Sequence, residues 1–396
     1  MTFKILSLDG GGIRGALSVR LLQEVERQIQ AKYDQRLDEY FDLIAGTSTG
    51  SLIAAGLCLG KNTQVLLEMY RDRGQEIFPK HIRARRKLPI VGRLISFLYP
   101  HGDPNKGIPG LSTVLQNTLG DVAIADVGKK ITTSSGDIIE RPILLVMAYD
   151  TLSRNTSFFV SNNSDTQPRW YDQFPLWRIC TASASAPTFF PPYDLPFYPD
   201  EKEDQVLPHI DGGVSVNNPS LAAVSHALGL DNVKFEDISV LSIGTGKATE
   251  PYTYDQIKQW QPLNWISNLP NMFLHPGDAI TDTICSQLLN AKEYRHLRLD
   301  FEINHHLVDR EDPSQYKLLR NIDPEPVNQY LMPPKYVSEA IDDPDAYDDL
   351  ITATQAYLEK GYVVLTSPEW VKIPVKEAIA RFIKLYPPRD HANAES

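Results

Sequence analysis

At 396 residues, 42% hydrophobic and 22% charged, the chain has the composition of a globular protein rather than a disordered or fibrous one. A formal net charge of -11 excludes general nucleic-acid binding, which rests on attraction to phosphate, and leaves any anionic surface to a local basic patch. The three cysteines, Cys58, Cys180 and Cys285, are far apart and lack C-x-x-C or Cys/His zinc spacing. Buried reduced thiols are expected of them, with no metal and no cofactor.

Residues 3–8 are a nearly continuous apolar run, as in a parallel strand covered on both faces. The chain begins directly in that run, without room for a signal leader, and no apolar run reaches the roughly 20 residues of a membrane span. These features predict a cytoplasmic protein without a transmembrane segment, touching membranes only peripherally. The run ends in Asp9-Gly10-Gly11-Gly12-Ile13-Arg14-Gly15, followed by a helix with Leu17, Leu21, Val25 and Ile29 on one face and Arg20, Glu24 and Arg27 on the other. Gly10, Gly12 and Gly15 fit G-x-G-x-x-G, so a dinucleotide-binding α/β protein is one reading. That reading needs an acidic residue ending the next strand, to hold a ribose. The alternative is that the loop amides hold an oxyanion.

The next strand runs instead into Gly46-Thr47-Ser48-Thr49-Gly50 and an apolar helix. A serine on a sharp strand-to-helix turn projects its hydroxyl clear of the sheet, and Gly46 and Gly50 let strand and helix approach closely. The helix N-terminus favours negative charge developing there. An ordinary glycine-bounded loop is the competing reading. Further on, Lys80, Arg83, Arg85, Arg86, Lys87 and Arg93 make segment 80–93 basic within an acidic chain. It reads either as a solvated helix face or as a dock for anionic lipid headgroups.

Residues 142–149 read as a buried strand and 175–186 as a helix rich in small residues, stopped by Pro187. The aromatic stretch 188–193 suits either the lining of a cleft or core packing. A short strand ends in Asp211-Gly212-Gly213, ahead of Asn217-Asn218-Pro219 and a helix to residue 228. An aspartate before two glycines is often only a turn residue. Residues 238–243 form another buried strand, closed by Gly244-Thr245-Gly246. Beyond it come an aromatic-rich segment from Trp260 to Leu274, an acidic, proline-punctuated stretch, two helices at 346–360 and 375–385, and a tail at 387–396 expected to be disordered.

A serine nucleophile needs a base and oxyanion donors. Of the histidines after Ser48, His226, His275, His296, His305, His306 and His391 are the candidates for that base. None lies in a small-residue turn at a strand end, whereas Asp211 does. This suggests an aspartate acting on the serine directly.

The three strings at residues 7–15, 46–50 and 211–213, in that order, resemble the signatures of the patatin-like phospholipases. Residues 184–190 and 217–219 are similar to that family too, and the likeness covers roughly residues 3–246. The resemblance implies an α/β fold with a mostly parallel central sheet sandwiched between helices, related to the α/β-hydrolase architecture. It implies a catalytic domain at 1–250 with lipid acyl hydrolase activity; residues 251–386 lie beyond the likeness and are expected to form a mainly helical extension of open role packing on that domain. By the same resemblance Ser48 is the nucleophile and Asp211 the base. Gly10, Gly11 and Gly12 form the oxyanion hole, Arg14 and Gly15 support that loop, Gly46 and Gly50 flank the nucleophile elbow, and Gly212 and Gly213 form the turn after the base. The substrate is expected to be a phospholipid or galactolipid at a membrane or micelle surface. A catalytically silent storage or scaffold protein of the same family is the remaining alternative.

Overall fold

The computed structural model describes residues 2–86, 98–128, 130–132, 138–140, 142–161, 168–196, 206–248, 254–262, 264–265, 276–290, 293–304, 327–365 and 370–388. Residues 87–93 of the basic segment, Leu263 and residues 266–274 of the aromatic-rich segment, and His275, His305, His306 and His391 lie outside them.

In chain order, β1 (Phe3–Leu8) leads to α1 (Gly15–Tyr33), β2 (Leu43–Thr47), α2 (Thr49–Cys58), α3 (Thr63–Ile77) and α4 (Lys80–Arg86). Next come β3 (Ile143–Asp150), β4 (Asn155–Val160), α5 (Leu176–Ser183), β5 (Tyr193–Pro196), β6 (Val206–Asp211), α6 (Ser220–Leu228) and β7 (Ile238–Ile243). They are followed by α7 (Pro276–Leu289), β8 (His296–Leu299), α8 (Tyr347–Lys360) and α9 (Val375–Leu385).

The main sheet has the order β8-β7-β1-β2-β3-β6-β5, with β4 paired to β3. The run from β8 to β3 is parallel, and β4, β6 and β5 join antiparallel. Period-two alternation divides the apolar side chains between two cores. Leu6, Leu8, Ile44, Leu144, Val146, Leu241 and Ile243 face the larger core, which α1 and α2 cover and in which α8 and α9 also bury side chains. Phe3, Ile5, Leu43, Ala45, Leu145, Met147 and Val240 face the second, under Ala223 and Val224 of α6 and Cys285 and Leu289 of α7. Both faces are therefore covered, as continuous hydrophobic strands require.

Two local expectations are corrected. Glu24, read as lying on the polar side of α1, is buried, because the C-terminal helices pack over that side; it is neutralised by Arg27 at 2.6 Å. Segment 80–93 does not present all its charge outward either. Arg83 is buried and paired with Asp343 at 3.5 Å and with Asp345, while Arg86 donates to Thr188 O and lies over the Phe189 ring. Lys80 and Arg85 remain exposed.

The topology also brings two strand ends together. Thr47 of β2 pairs with Met147 of β3, and Asp211 of β6 pairs with Ala148, the next residue of β3. Since β4 occupies the other flank of β3 through both residues, β2 and β6 lie on the same flank, running toward each other and meeting end to end. The residue after β2 is Ser48, and the last residue of β6 is Asp211.

Candidate active site

Ser48 sits at φ 52° and ψ -124°, a left-handed φ that costs a non-glycine residue on the order of 1–3 kcal/mol. Neighbouring bonds hold it there. Its N–H donates to Ser183 Oγ at 2.9 Å, and Ser183 donates in turn to Met147 O at 2.6 Å. Its carbonyl accepts from both the amide and the hydroxyl of Ser51, at 2.9 and 2.6 Å. The flanking glycines are steric requirements. A Cβ on Gly46 would overlap Gly50 O, and a Cβ on Gly50 would overlap Leu8 O, so strand and helix touch backbone to backbone.

The hydroxyl of Ser48 donates to Asp211 Oδ2 at 2.6 Å. The other carboxylate oxygen accepts from Gly213 N at 2.7 Å, while the Asp211 and Gly212 amides donate to Ser185 O and Ser183 O at 3.0 and 3.1 Å. Ser183 at the end of helix α5 and Ser185 just beyond it thus approach both halves of the pair closely enough to bind their backbones. Asp211 is fully buried, and loss of hydration raises its carboxyl to about 6, against the lowering pull of the Ser48 and Gly213 hydrogen bonds.

Gly10, Gly11 and Gly12 line a cavity together with Ser48 and Asp211. The Gly10 amide donates to Asn217 O at 3.3 Å, whereas the amides of Gly11 and Gly12 have no protein acceptor among the described residues. Arg14 is buried at the cavity wall, its guanidinium held below its ordinary value by burial against the opposing pull of Glu339, Asp300 and Asp278. Gly15 lies where any side chain would strike Thr49 and Tyr70, which are hydrogen-bonded to each other at 2.5 Å. The dinucleotide reading of this loop is not met. Thr245 packs on Gly11, Ile341 packs on Gly12, and β2 ends in Thr47, followed by Ser48, rather than in an acid.

Residues 6–224 match the family model for patatin-like phospholipase, a span that contains the loop, Ser48 and Asp211. The chain belongs to the patatin-like phospholipase family. It is 27% identical to patatin-2-Kuras 3 of Solanum tuberosum over 325 residues, 76% of each chain. It is 29% identical to patatin-like protein 1 of Arabidopsis thaliana over 285 residues, covering 66% of this chain and 64% of that one. Patatin-3-Kuras 1 of Solanum tuberosum, whose full name carries the word inactive, is 26% identical over 324 residues, covering 76% and 78%.

No histidine among the described residues of this patatin-like chain is hydrogen-bonded to Ser48 or Asp211. His296 is buried at the start of β8 with its ring held down to about 4 by desolvation, and His226 lies on α6, also below its ordinary value through burial. His101, which no sequence motif marks, contacts Ser185 Oγ at 2.9 Å and is held at about 4 by burial.

Beside Ser48 the cavity is apolar, walled by Leu52, Ile77, Phe78, Leu111, Phe189, Phe190 and Ile341. Phe189 and Phe190 of the aromatic stretch line this cavity, and Phe190 is also packed in the core against Phe78 and Tyr99, so both readings of the stretch are met. Ile341 carried no signal in the sequence; its carbonyl accepts from Ile13 N at 2.8 Å, and the following Asp342 accepts from Tyr99 Oη at 2.7 Å. Ser183, Asn217 and Thr245 were missed as well, although Asn217 and Thr245 stand in short strings with glycine or proline, the only hint available. None of the described helices is long and apolar enough to cross a membrane.

Proposed function

We propose that this patatin-like chain is a lipid acyl hydrolase that cleaves fatty acyl esters of membrane glycerolipids through a Ser48–Asp211 dyad. The observation that carries the reading is the 2.6 Å hydrogen bond from the Ser48 hydroxyl to a buried carboxylate, with no histidine among the described residues hydrogen-bonded to either residue. An ordinary aspartate is too weak a base for a serine; one raised to about 6 is better matched to neutral pH. Asp211 takes the Ser48 proton as Oγ attacks the ester carbonyl. The tetrahedral oxyanion accepts hydrogen bonds from the amides of Gly11 and Gly12, each such donor being worth about 3 to 4 kcal/mol in comparable sites.

Collapse of the intermediate breaks the bond to the glycerol oxygen, which leaves as an alcohol with the proton held by Asp211. Water, deprotonated by Asp211, then attacks the acyl-enzyme and releases the fatty acid. The apolar cavity beside Ser48 suits the acyl chain. Contact with the lipid surface falls to the exposed face of this segment, where Lys80 and Arg85 lie, rather than to the buried Arg83.

A catalytically silent patatin-like protein is the second reading, favoured only by the relative named inactive. Mass spectrometry of products from mixed phospholipids, galactolipids and neutral glycerides separates the two. Release of fatty acid by the parent and not by Ser48→Ala supports the dyad and identifies headgroup and position. No product from any class, with no labelling of Ser48 by a fluorophosphonate, would leave the silent reading standing.

A further inference from the structure

The glycine loop is held from behind by a residue that the family match, ending at 224, does not reach. Gly10 O accepts from the Thr245 hydroxyl at 2.9 Å and, more weakly, from Asn217 Nδ2 at 3.5 Å. A trans peptide is planar, with its carbonyl and its N–H pointing in opposite directions. Whatever fixes the Gly10 carbonyl therefore fixes the Gly11 N–H on the opposite side of the same plane. That amide has no protein acceptor among the described residues, and Gly11 lines the cavity with Ser48.

We propose that Thr245 is a positioning residue for ester hydrolysis: by holding the Gly10 carbonyl, its hydroxyl aims the Gly11 amide at the oxyanion. The proposal rests on the Ser48–Asp211 reading above. The side chain is 4% exposed and packs so closely on Gly11 that any Cβ there would overlap it. Asn217 is a poor substitute, because its Nδ2 stands 3.5 Å from Gly10 O and makes its shorter bond, at 2.8 Å, to Asp278 Oδ2.

The turn that bears Thr245 is itself located against the loop. Gly246 N donates to Asp300 Oδ1 at 3.0 Å, and Asp300 Oδ2 accepts from Arg298 Nη2 at 3.0 Å. The same guanidinium grips both oxygens of Asp9, the residue before Gly10, at 3.0 and 2.5 Å. One cation on β8 thus ties the two backbone segments whose relative position sets the hydroxyl–carbonyl bond. Such a bond costs no reorganisation as charge develops, which is what oxyanion stabilisation requires.

The test compares Thr245→Val, which keeps the branched shape without the hydroxyl, with Thr245→Ser, which keeps the hydroxyl. Removal of a direct oxyanion donor costs about 100- to 1,000-fold, so misaiming one is expected to lower kcat about 10- to 100-fold in Thr245→Val. KM is expected to stay within about twofold, with fluorophosphonate inactivation slowed in parallel and the pH midpoint of activity unmoved, since Asp211 is untouched. Thr245→Ser is expected to regain most of the lost rate. Should the valine variant fail to fold, Thr245→Cys carries the comparison, its thiol being a far weaker donor.

Parent-like kcat in the valine or cysteine variant, or a serine variant as slow as either, overturns the proposal. If Ser48→Ala is inactive while Thr245→Val is fully active, only the role of Thr245 falls. If Ser48→Ala remains active, the dyad reading falls first.

Discussion

Replacing Asp211 by Asn tests charge burial and catalysis together. In the folded chain the carboxyl is raised from 3.8 to about 6, a shift of about 2 units, or about 3 kcal/mol at roughly 1.4 kcal/mol per unit. The folded value lies above the unfolded one, so the protonated carboxyl contributes stability that is fully present below about pH 4 and lost as the pH rises through about 6. Above pH 7 the protein holds an ionised, desolvated carboxylate. Asparagine removes that cost. Its carbonyl can accept from Gly213 N while its amide donates to Ser48 Oγ, so both neighbouring bonds find partners.

The variant is therefore expected to match the parent near pH 4 and to exceed it by up to about 3 kcal/mol at pH 8, while losing nearly all ester hydrolysis. Urea unfolding at pH 4, 6 and 8 measures the first effect. A pH profile of kcat/KM for the parent, expected to rise with a midpoint near 6, measures the second. A stability difference that does not change with pH would refute the burial argument, and substantial activity in the variant would return the base role to another residue.

Ser48→Ala is expected to abolish hydrolysis and fluorophosphonate labelling with the fold intact by circular dichroism; labelling elsewhere in the chain would point to a different nucleophile. Gly50→Ala forces a Cβ into Leu8 O, and since backbone cannot yield as a side chain can, a loss of about 3 kcal/mol or more is expected in thermal unfolding. A melting temperature equal to the parent's would show that the strand–helix contact is looser than described. Arg298→Met leaves Asp9 and Asp300 buried without their shared cation, at an expected cost of about 3 to 5 kcal/mol in urea unfolding together with loss of activity. Near-parent stability would mean that the carboxylates find other partners.

Much of the site was legible because it is local. The elbow at Ser48 is written in Gly46 and Gly50, which backbone contact demands, and in a serine placed where an apolar strand becomes an apolar helix. Asp211 stood out as the acid at a strand end, ahead of the glycine amide that binds it. The alternating burial of β1, β2, β3 and β7 follows from continuous apolar runs that only a doubly covered sheet accommodates.

Other features depend on partners far apart in sequence. Charge composition marked Arg83 and Arg86 as basic and residues 342–345 as acidic, but not that these segments face each other across some 260 positions. The C-terminal third looked like an extension of open role; in the fold it supplies β8 to the main sheet, Ile341 to the cavity and Arg298 to the glycine loop. The sequence by itself determined where the strained turn and the close backbone approaches of the candidate site fall, because these demand particular residue types. Only the tertiary structure decided that β2 and β6 meet end to end on one flank of β3, because strand order is set by burial of whole faces and leaves no mark on any single stretch of chain.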